Sequence, residues 1–263
     1  MNISKSIDSN FETESTSTKT RLNKALAKVT GLSRRQIDEQ IAKGNVMVNG
    51  SVAVLGLTID IDKDIVQYQG SNGELKTLEN MNSGSRVFLI YKPVYTVTTR
   101  FDPQERKTIY DFIPHELAPL KSAGRLDYMS EGLLVLSNDG ELINQLTHPS
   151  HGSDKIYLVG LVRKLESRFI NMASSGDLEI DEYKLNPVDI KPIRDLGVDS
   201  KYGYLKLTPE FSWYTFELSE GRNNQIRRMC EVFGNTTKRL IRVKHGDYVM
   251  SEELFGRKYL EVK

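Results

Sequence analysis

The spacing of apolar residues predicts two consecutive helices near the start of the chain. Leu22, Leu26 and Val29 lie at positions i, i+4 and i+7, which is the spacing of one buried helix face. Gly31 is expected to end this helix, because glycine readily adopts the left-handed conformation found after a helix C-terminus. Residues 33–36 read Ser-Arg-Arg-Gln, a capping-box pattern in which the serine and glutamine side chains satisfy free backbone amides. A second helix is therefore predicted to begin there.

The pattern then changes from helical to alternating spacing. Gly44 is expected to end the second helix. Residues 46–48 alternate between apolar and more exposed positions, and the Asn49-Gly50 dipeptide that follows is the strongest short signal for a β-hairpin. Two helices and a hairpin predict a small, compact domain over residues 19–67.

Two segments of low apolar content flank this small domain. Residues 1–18 are rich in Ser, Thr and Asn and are expected to form a disordered tail. Residues 68–84 are rich in Gly, Ser, Asn and Gln and are expected to form a linker, with Leu75 and Leu78 as candidates for a strand end. A larger domain is then expected over residues 85–263.

Short segments with different apolar patterns follow one another along the larger domain. Continuous apolar runs predict buried strands, period-two alternation predicts half-exposed strands, and wider spacing predicts helices. Buried strands are predicted at 87–91 and 133–136, and half-exposed strands at 204–207 and 214–218. Helices are predicted at 141–146 and 225–233. Because strands and helices interleave irregularly, the sequence favours a mixed α+β domain over a doubly wound parallel sheet.

Composition argues against several classes of protein. The 263 residues include 36 basic and 35 acidic residues, so the overall charge does not indicate a polyanionic partner. The single cysteine, Cys230, excludes an internal disulfide framework and a cysteine-based zinc cluster, and with only four histidines no metal site is expected. The sequence has neither the apolar run needed to cross a membrane nor the apolar core of a signal peptide. A reducing, cytoplasmic location is expected.

Positive charge is concentrated in two segments. Residues 19–50 contain seven cations and two acids, and residues 222–244 contain seven cations and one acid. Arg34 and Arg35 lie in the first turn of the second predicted helix, where free amides and the helix dipole favour an anion such as phosphate. A solvated helix face is the alternative interpretation of either segment. The candidate RNA-binding cations are Arg21, Lys24, Arg34, Arg35, Lys43, Arg222 and Arg228.

Asp127 is the first candidate for chemistry in the larger domain. It follows Gly124 and Arg125 and precedes the apolar run 133–136, so it lies at the mouth of a predicted buried strand. A carboxylate that is partly desolvated there and held by a nearby cation can be reactive. The alternative is an aspartate that caps a turn or pairs with Arg125.

Two further clusters could complete a site. Lys155 and Tyr157 lie on one face of a predicted strand, where the tyrosine could stack on a base or be a half-buried strand residue. Residues 220–229 form a turn that leads into a cation-rich helix. Cys230 on that helix is interpreted as a core residue, because no base or orienting partner for a catalytic thiol is nearby.

Three motifs in the larger domain, taken together, point to one family. In order, they are GRLDYMSEGLLVLSNDGELINQLTHPS, the triplet KIY, and EGRNNQIRRM. They resemble the RsuA-type pseudouridine synthases, a group that includes RluB, RluE and RluF. The segment RLNKALAKVTGLSRRQIDEQIAKGNVMVNG resembles an S4-like RNA-binding domain. The implied fold is α+β, with a small S4-like RNA-binding domain (two helices plus a hairpin) followed by a pseudouridine synthase domain on a mixed, mainly antiparallel sheet.

The resemblance implies isomerisation of a specific uridine in ribosomal RNA to pseudouridine, preferably in the large subunit. It also implies that Asp127 is the catalytic carboxylate, that Arg227 is its compensating cation, and that Tyr157 packs on the detached uracil. The sequence leaves open whether Asp127 attacks the anomeric carbon or removes a proton from the neighbouring ribose carbon. Arg125 would occupy the place vacated by the extruded base. The expected substrate-binding residues are Arg125, Leu126, Lys155, Asn223, Gln225 and Ile226.

The expected partner is ribosomal RNA or a pre-ribosomal particle, bound by a monomer that needs no cofactor. A catalytically silent RNA-binding or ribosome-assembly factor is the second hypothesis, and the presence of Asp127, Tyr157 and Arg227 counts against it. A nucleotide hydrolase that uses Asp127 on a glycosidic bond is the third. The paired carboxylates expected of such sites are not evident in the sequence around it.

Overall fold

The computed structural model describes residues 18–70, 75–78 and 84–262. All but the last residue of the expected tail, 1–18, lies outside these ranges. The chain divides into two compact units, residues 1–83 and 84–263. Each unit has an apolar core of its own.

The first unit consists of two short helices and small antiparallel sheets. In chain order, its elements are β1 (Lys19–Arg21), α1 (Leu22–Thr30), α2 (Arg34–Ala42), β2 (Val46–Val48), β3 (Ser51–Val52), β4 (Thr58–Asp60), β5 (Val66–Gln69) and β6 (Leu75–Thr77). Strand β1 pairs with β4, and the other strands form a sheet in the order β3-β2-β5-β6. The buried faces of both helices pack on β2, β4 and β5.

Local sequence signals account for the ends of these elements. Gly31 follows α1 with a φ of 73°, as expected of a left-handed C-terminal residue. The Ser33 hydroxyl accepts a hydrogen bond from the Gln36 amide, and the Gln36 side chain accepts one from the Ser33 amide, so the capping box is confirmed. Asn49 and Gly50 both have positive φ and join β2 to β3, which confirms the predicted hairpin turn.

The expectation of a linker over residues 68–84 needs correction. Tyr68 and Gln69 are the last two residues of β5, and residues 75–77 form β6, which pairs with β5 in an antiparallel register. Strand β6 lies at the edge of the sheet, and its side chains Lys76 and Thr77 are exposed, so this part of the segment is polar although it forms a strand. The linker prediction was made because the low apolar content of an edge strand is similar to that of a linker.

The second unit is a large sheet with helices packed against it. In chain order, its elements are β7 (Val87–Lys92), β8 (Lys121–Ser122), β9 (Glu131–Ser137), α3 (Gly140–Thr147), β10 (Lys155–Leu161), α4 (Ser167–Ser175), β11 (Glu179–Ile180), β12 (Tyr183–Lys184), β13 (Asp189–Pro192), β14 (Ser212–Leu218), α5 (Gln225–Val232), β15 (Thr237–His245), β16 (Tyr248–Val249), α6 (Glu252–Arg257) and β17 (Tyr259–Val262). The main strand order is β13-β14-β10-β15-β9-β7-β17. Only β9 and β15 pair in parallel among the described strands, which confirms a mixed, mainly antiparallel sheet.

Alternation along the central strands divides the core between the two sheet faces. On one face, Leu133 and Leu158 pack with α3 and α6. On the other face, Val159 packs with α4 and α5, and Leu134 packs with the segment before β9. Tyr157 contacts both clusters of this second face. The junction of those two clusters is therefore where a cleft can form.

The strand predicted over residues 204–207 is wrong. The structure has a single turn of 3-10 helix, Gly203–Leu205, followed by Lys206 with a φ of 49°. The backbone is so tightly folded that a Cβ at Gly203 would lie 2.1 Å from the Val198 carbonyl oxygen. The apolar residues of the predicted alternation, Leu205 and Leu207, are indeed buried, but a turn places them in the core and not a strand.

Candidate active site

A cleft of about 430 Å³ opens on this second face of the sheet in the second unit. Its volume lies within the range of small-molecule sites. Residues from all three motifs line it. Among the predicted site residues, the cleft brings together Arg125, Leu126, Asp127, Lys155, Tyr157, Arg222, Asn223, Gln225 and Ile226.

Asp127 lies in the short loop between β8 and β9. The loop is fixed to the neighbouring segment by Thr98, whose hydroxyl donates to the Leu126 carbonyl at 2.9 Å and accepts from the Leu126 amide at 3.2 Å. The Ser130 amide donates to the Asp127 carbonyl at 3.0 Å and closes a turn. Leu126 is buried beside Asp127, whereas Arg125 is exposed. Within the described residues, no hydrogen bond or ion pair occupies the Asp127 carboxylate.

Lys92 supports this loop from beneath. The residue is fully buried, and its ammonium donates to the carbonyls of Pro93, Asp127 and Ser130 at 3.0, 3.1 and 2.7 Å. Burial lowers the pKa of Lys92 to about 8, against the opposing effect of the Asp127 and Glu131 carboxylates. The charged ammonium therefore lies next to the backbone of the candidate carboxylate.

Glu131, the nearest other buried carboxylate, is already neutralised. It accepts hydrogen bonds from Arg239 Nε at 2.6 Å and from the Tyr91 hydroxyl. Burial and the Glu131 charge raise the pKa of Tyr91, so its phenol remains a donor. This ion pair is structural and lies behind the loop.

Arg227, the cation expected to compensate Asp127, forms no ion pair with it among the described residues and does not line the cleft. Its guanidinium donates to the Met129 and Thr237 carbonyls, both at 2.9 Å, and so ties α5 and β15 to the Asp127 loop. Burial lowers the pKa of Arg227, and the Asp127 carboxylate acts in the opposite direction. The interaction of Arg227 with Asp127 is therefore electrostatic and is exerted without direct contact.

A β-bulge shapes the floor of the cleft. Lys155 pairs with His245 and Tyr157 pairs with Arg242, so one residue of β15, Val243, is skipped between the two pairs. Lys155 and Tyr157 share a face of β10, and directly paired residues of antiparallel strands share a face as well. Arg242 and His245, which strict alternation would place on opposite faces, therefore both line the cleft.

Arg242 and His245 are almost completely buried. Arg242 is 2% exposed, and its Nε donates to the Leu133 carbonyl at 2.9 Å. His245 Nε2 lies 2.8 Å from the Leu146 carbonyl and must donate to it. Burial lowers the pKa of His245 to about 3, so its ring is neutral. Arg242 Nη2 and His245 Nδ1 have no hydrogen-bond partner in the described part of the chain.

Gly132 allows β9 to approach β15 at this point. It pairs with Arg242 in the parallel register and has a φ of 110°. A Cβ at this position would lie 2.4 Å from the Arg242 carbonyl oxygen and 2.8 Å from its amide nitrogen. Only glycine fits here, because both the conformation and the space exclude a side chain.

The motif before α5 forms the opposite rim. Gln225 accepts from the Arg222 amide at 3.0 Å and donates to Glu220 at 2.7 Å, which closes the turn. Arg222 pairs with Glu220 at 3.3 Å and lies over the Tyr183 ring. Arg228, also predicted to bind RNA, instead forms an ion pair with Asp181 outside the cleft.

The predicted RNA-binding residues of the first unit lie on its helices and their flanks. Arg34, Arg35 and Lys43 are exposed. Arg21 is exposed too, but its guanidinium donates to the Gly56 carbonyl. Lys24 is half-buried on α1.

Sequence reasoning missed the buried polar residues Lys92, Arg242 and His245. A signal for Lys92 was present, because a lysine ended an otherwise apolar strand. Arg242 likewise interrupts the apolar run of residues 240–243. The bulge that turns Arg242 and His245 to one face has no local signature in the sequence.

Two negative findings hold for the described ranges. They contain no group of three or more His, Cys, Asp or Glu side chains arranged to hold a metal ion. None of the helices in those ranges combines the length and apolar character needed to cross a membrane.

Comparison with known proteins shows which family the second unit resembles. Residues 86–232 match the RNA pseudouridylate synthase family. A crystal structure of a pseudouridylate synthase superposes with a TM-score of 0.60 at 29% identity, covering 92% of this chain and 96% of that one. The fold is thus that of an RNA-modifying isomerase. The chain belongs to the RNA pseudouridylate synthase family.

Curated relatives extend this similarity to most of the chain. The ribosomal large subunit pseudouridine synthase B of Vibrio cholerae serotype O1 is 33% identical over 236 residues, covering 89% of this chain and 68% of the relative. The protein of the same name from Pseudomonas aeruginosa is 33% identical over 243 residues, covering 92% of this chain and 59% of the relative. The protein of the same name from Salmonella typhimurium is 32% identical over 236 residues, covering 89% of this chain and 76% of the relative. The chain therefore spans about three-fifths to three-quarters of the length of these relatives.

Proposed function

We propose that this protein isomerises one uridine of large-subunit ribosomal RNA to pseudouridine, with Asp127 as the catalytic carboxylate. The observation that carries the proposal is the position of Asp127. Its carboxylate has no partner among the described residues, it faces the same cleft as Tyr157, and buried cations surround its loop. The names of the relatives support ribosomal RNA of the large subunit as the substrate.

The reaction breaks the bond between ribose C1′ and uracil N1 and rejoins the ring through C5. Asp127 either attacks C1′ or removes the neighbouring ribose proton, and its free carboxylate is suited to both routes. Lys92 binds the carbonyls of Asp127 and Ser130, and Arg227 binds the carbonyl of Met129, so the turn that carries the carboxylate is fixed before substrate binds.

The walls of the cleft are suited to a flat base. Tyr157 offers an aromatic ring, and Leu126 and Ile226 are buried apolar residues that line the same cleft. Aromatic and apolar walls of this kind can pack on an unstacked pyrimidine base and exclude water from its faces. Tyr157 accordingly packs on the detached uracil and assists removal of the C5 proton.

The target nucleotide must leave the RNA stack to reach the cleft, which costs a few kcal/mol and is easiest in loops. Arg125 is exposed at the rim and is placed to occupy the vacated position. Arg222 at the rim and the cations of the first unit, which we propose to be an S4-like RNA-binding domain, contact phosphates. Asn223, Gln225 and Lys155 complete the substrate-binding set. We also propose that the protein acts as a cytoplasmic monomer on rRNA or a pre-ribosomal particle.

The decisive experiment maps pseudouridine in ribosomal RNA from cells that lack the protein. One large-subunit position is expected to be unmodified, and the wild-type chain should restore it. Asp127→Asn should not restore it, because an amide can neither attack C1′ as a carboxylate does nor accept the ribose proton. Asp199→Asn, an exposed aspartate outside the cleft, is the matched control and should restore modification fully.

Each outcome is informative. Restoration by Asp127→Asn at the wild-type level would exclude Asp127 as the catalytic residue. An unchanged pseudouridine map in the deletion strain would contradict the proposed substrate and favour a silent RNA-binding factor.

A further inference from the structure

The walls around the cleft carry more positive charge than their acids neutralise. Lys92, Lys155, Arg227 and Arg242 contribute four cations at or directly behind the cleft surface. Of the two carboxylates that line the cleft, Glu220 is paired with Arg222, and Asp127 has no ion pair among the described residues. The cleft therefore has the electrostatics of a site for an anion.

Arg242 is the most deeply buried of the cations that line the cleft. Its side chain is 2% exposed, makes one hydrogen bond to a backbone carbonyl, and has no ion pair within the described residues. Burying a guanidinium without a carboxylate is unfavourable, and such charges are retained where they act on a ligand. Two features of the fold place it there: regular alternation with Leu240 and pairing with Tyr157 turn it to the cleft face, and Gly132 gives its backbone room.

The depth of Arg242 indicates which part of the substrate it meets. Phosphates of an extruded nucleotide remain with the RNA backbone at the mouth, where Arg125 and Arg222 are exposed. Arg242 lies opposite Tyr157 on the floor, at the level of the base. The relevant anion is therefore the base itself.

The base becomes an anion during the reaction. When the C1′–N1 bond breaks, the bonding electron pair stays on N1, and the negative charge spreads over N1, O2 and O4. After the ring turns, C5 bonds to C1′, the C5 proton leaves, and N1 gains a proton, so no redox partner is required. A half-turn about the N3–C6 axis exchanges O2 with O4, and one fixed cation can therefore stabilise both orientations of the ring.

We propose that Arg242 is the anion-binding residue for detached uracil, holding the charged ring through departure and rotation. This inference rests on the proposed isomerase function and adds a role for a residue that lies outside its three motifs. Because the charge develops only as the bond breaks, Arg242 acts on the rate of the chemical step more than on RNA affinity.

The test compares three variants on large-subunit RNA isolated from cells that lack the protein. Arg242→Met removes the charge at similar length, and Arg242→Lys keeps it. Lys238→Met is the control, because it removes an exposed cation of the same strand that lies outside the cleft. We expect Arg242→Met to lower kcat about 100-fold with little change in KM, Arg242→Lys to recover part of the rate, and the control to remain near wild type. Thermal unfolding of all three identifies any general loss of fold.

A second measurement separates leaving-group stabilisation from a structural role. Large-subunit RNA transcribed with 5-fluorouridine carries a less basic leaving group, which needs less help from a cation. Single-turnover loss of fluorouridine, measured after digestion of the RNA, should show the ratio of wild-type to Arg242→Met rates falling from about 100 to about 10.

An equal defect with both RNAs, or a defect in KM alone, would overturn the role of Arg242. Those results leave the proposed function intact, because wild type would still make pseudouridine. Failure of the wild-type chain to modify both this RNA and pre-ribosomal particles from the same cells would instead refute the proposed function itself.

Discussion

At the scale of single residues, Lys92 has the clearest consequence for function. Its ammonium holds three carbonyls at once, two of them in the turn that carries Asp127. A neutral amine has only two hydrogens to donate, so deprotonation both breaks one of these bonds and removes a positive charge beside the carboxylate. The charge on Lys92 thus contributes both to loop geometry and to the field at the site.

The lowered pKa of Lys92 predicts a pH dependence of activity. Because a cation with a depressed pKa loses its proton at lower pH than usual, kcat should fall as the pH rises through about 8. Single-turnover rates between pH 6 and pH 10, measured about every half pH unit with the same RNA, check this prediction.

The control for that profile is Lys92→Arg, which keeps a cation that does not titrate in this range. Its residual activity should show no decline near pH 8. A decline of equal size in the variant would assign the limb to another group, such as the RNA.

At this scale, the sequence predicted residues with recognisable motifs better than residues defined by burial. Asp127, Tyr157 and Ile226 were predicted and do line one cleft. Arg227 was predicted as the cation that compensates Asp127, and its guanidinium binds backbone carbonyls of the Asp127 loop and of β15. The partners of a long, flexible cation depend on which carbonyls the fold brings within reach, and no spacing rule in the sequence encodes that.

At the scale of elements, the contact between β9 and β15 determines how closely Asp127 and Arg242 can approach. These strands form the one parallel pair of the described sheet, and Gly132 is the residue that lets their backbones meet. The loop of Asp127 enters β9 directly, so any displacement of this strand displaces the carboxylate.

Gly132→Ala should therefore destabilise the second unit and lower activity. The added methyl meets backbone atoms that cannot move independently, and the positive φ is strained for alanine, so a loss of about 1–3 kcal/mol is expected. Chemical denaturation monitored by circular dichroism measures it.

Gly256→Ala is the matched control for that substitution. Gly256 lies within α6, and a methyl group added to it would meet open space. Alanine should raise stability there by up to about 1 kcal/mol through helix propensity. Equal effects at the two glycines would contradict the packing argument for Gly132.

Elements with local chemical signals were predicted accurately, and those set by tertiary contacts were not. The capping box at Ser33 and the turn at Asn49 follow from interactions between neighbouring residues. The 3-10 turn at Gly203–Leu205 and the bulge at Val243 depend on distant backbone, so alternation of apolar residues misplaced the first and gave no hint of the second.

At the scale of the whole molecule, the nearly neutral total charge hides the cation-rich segment 19–50 of the first unit. Arg34 and Arg35 are exposed in the first turn of α2, where they can bind phosphates without a change in the fold of the unit. Binding of this kind weakens as the salt concentration rises, because the release of counterions from the RNA then becomes less favourable.

Reversing both charges, Arg34→Glu with Arg35→Glu, should weaken binding to large-subunit RNA and flatten its salt dependence. The slope of log K against log salt should fall by about one for each phosphate that the variant no longer neutralises. Filter binding or fluorescence anisotropy at several salt concentrations measures it.

The charge-matched control reverses Lys63 and Lys76, two exposed cations of the same unit that lie outside both helices. If the two double variants lowered affinity equally, the effect would reflect net charge and not phosphate binding by α2.

Cys230 offers a practical consequence of the way α5 packs. It is the only cysteine of the chain, it is buried, and burial raises its pKa to about 11, so at neutral pH the folded protein presents no reactive thiolate. A cysteine introduced at Val198, which is 87% exposed, would then be the single site that maleimide dyes can label in the native state. The natural chain is thus already suited to single-molecule fluorescence, with no background substitution required.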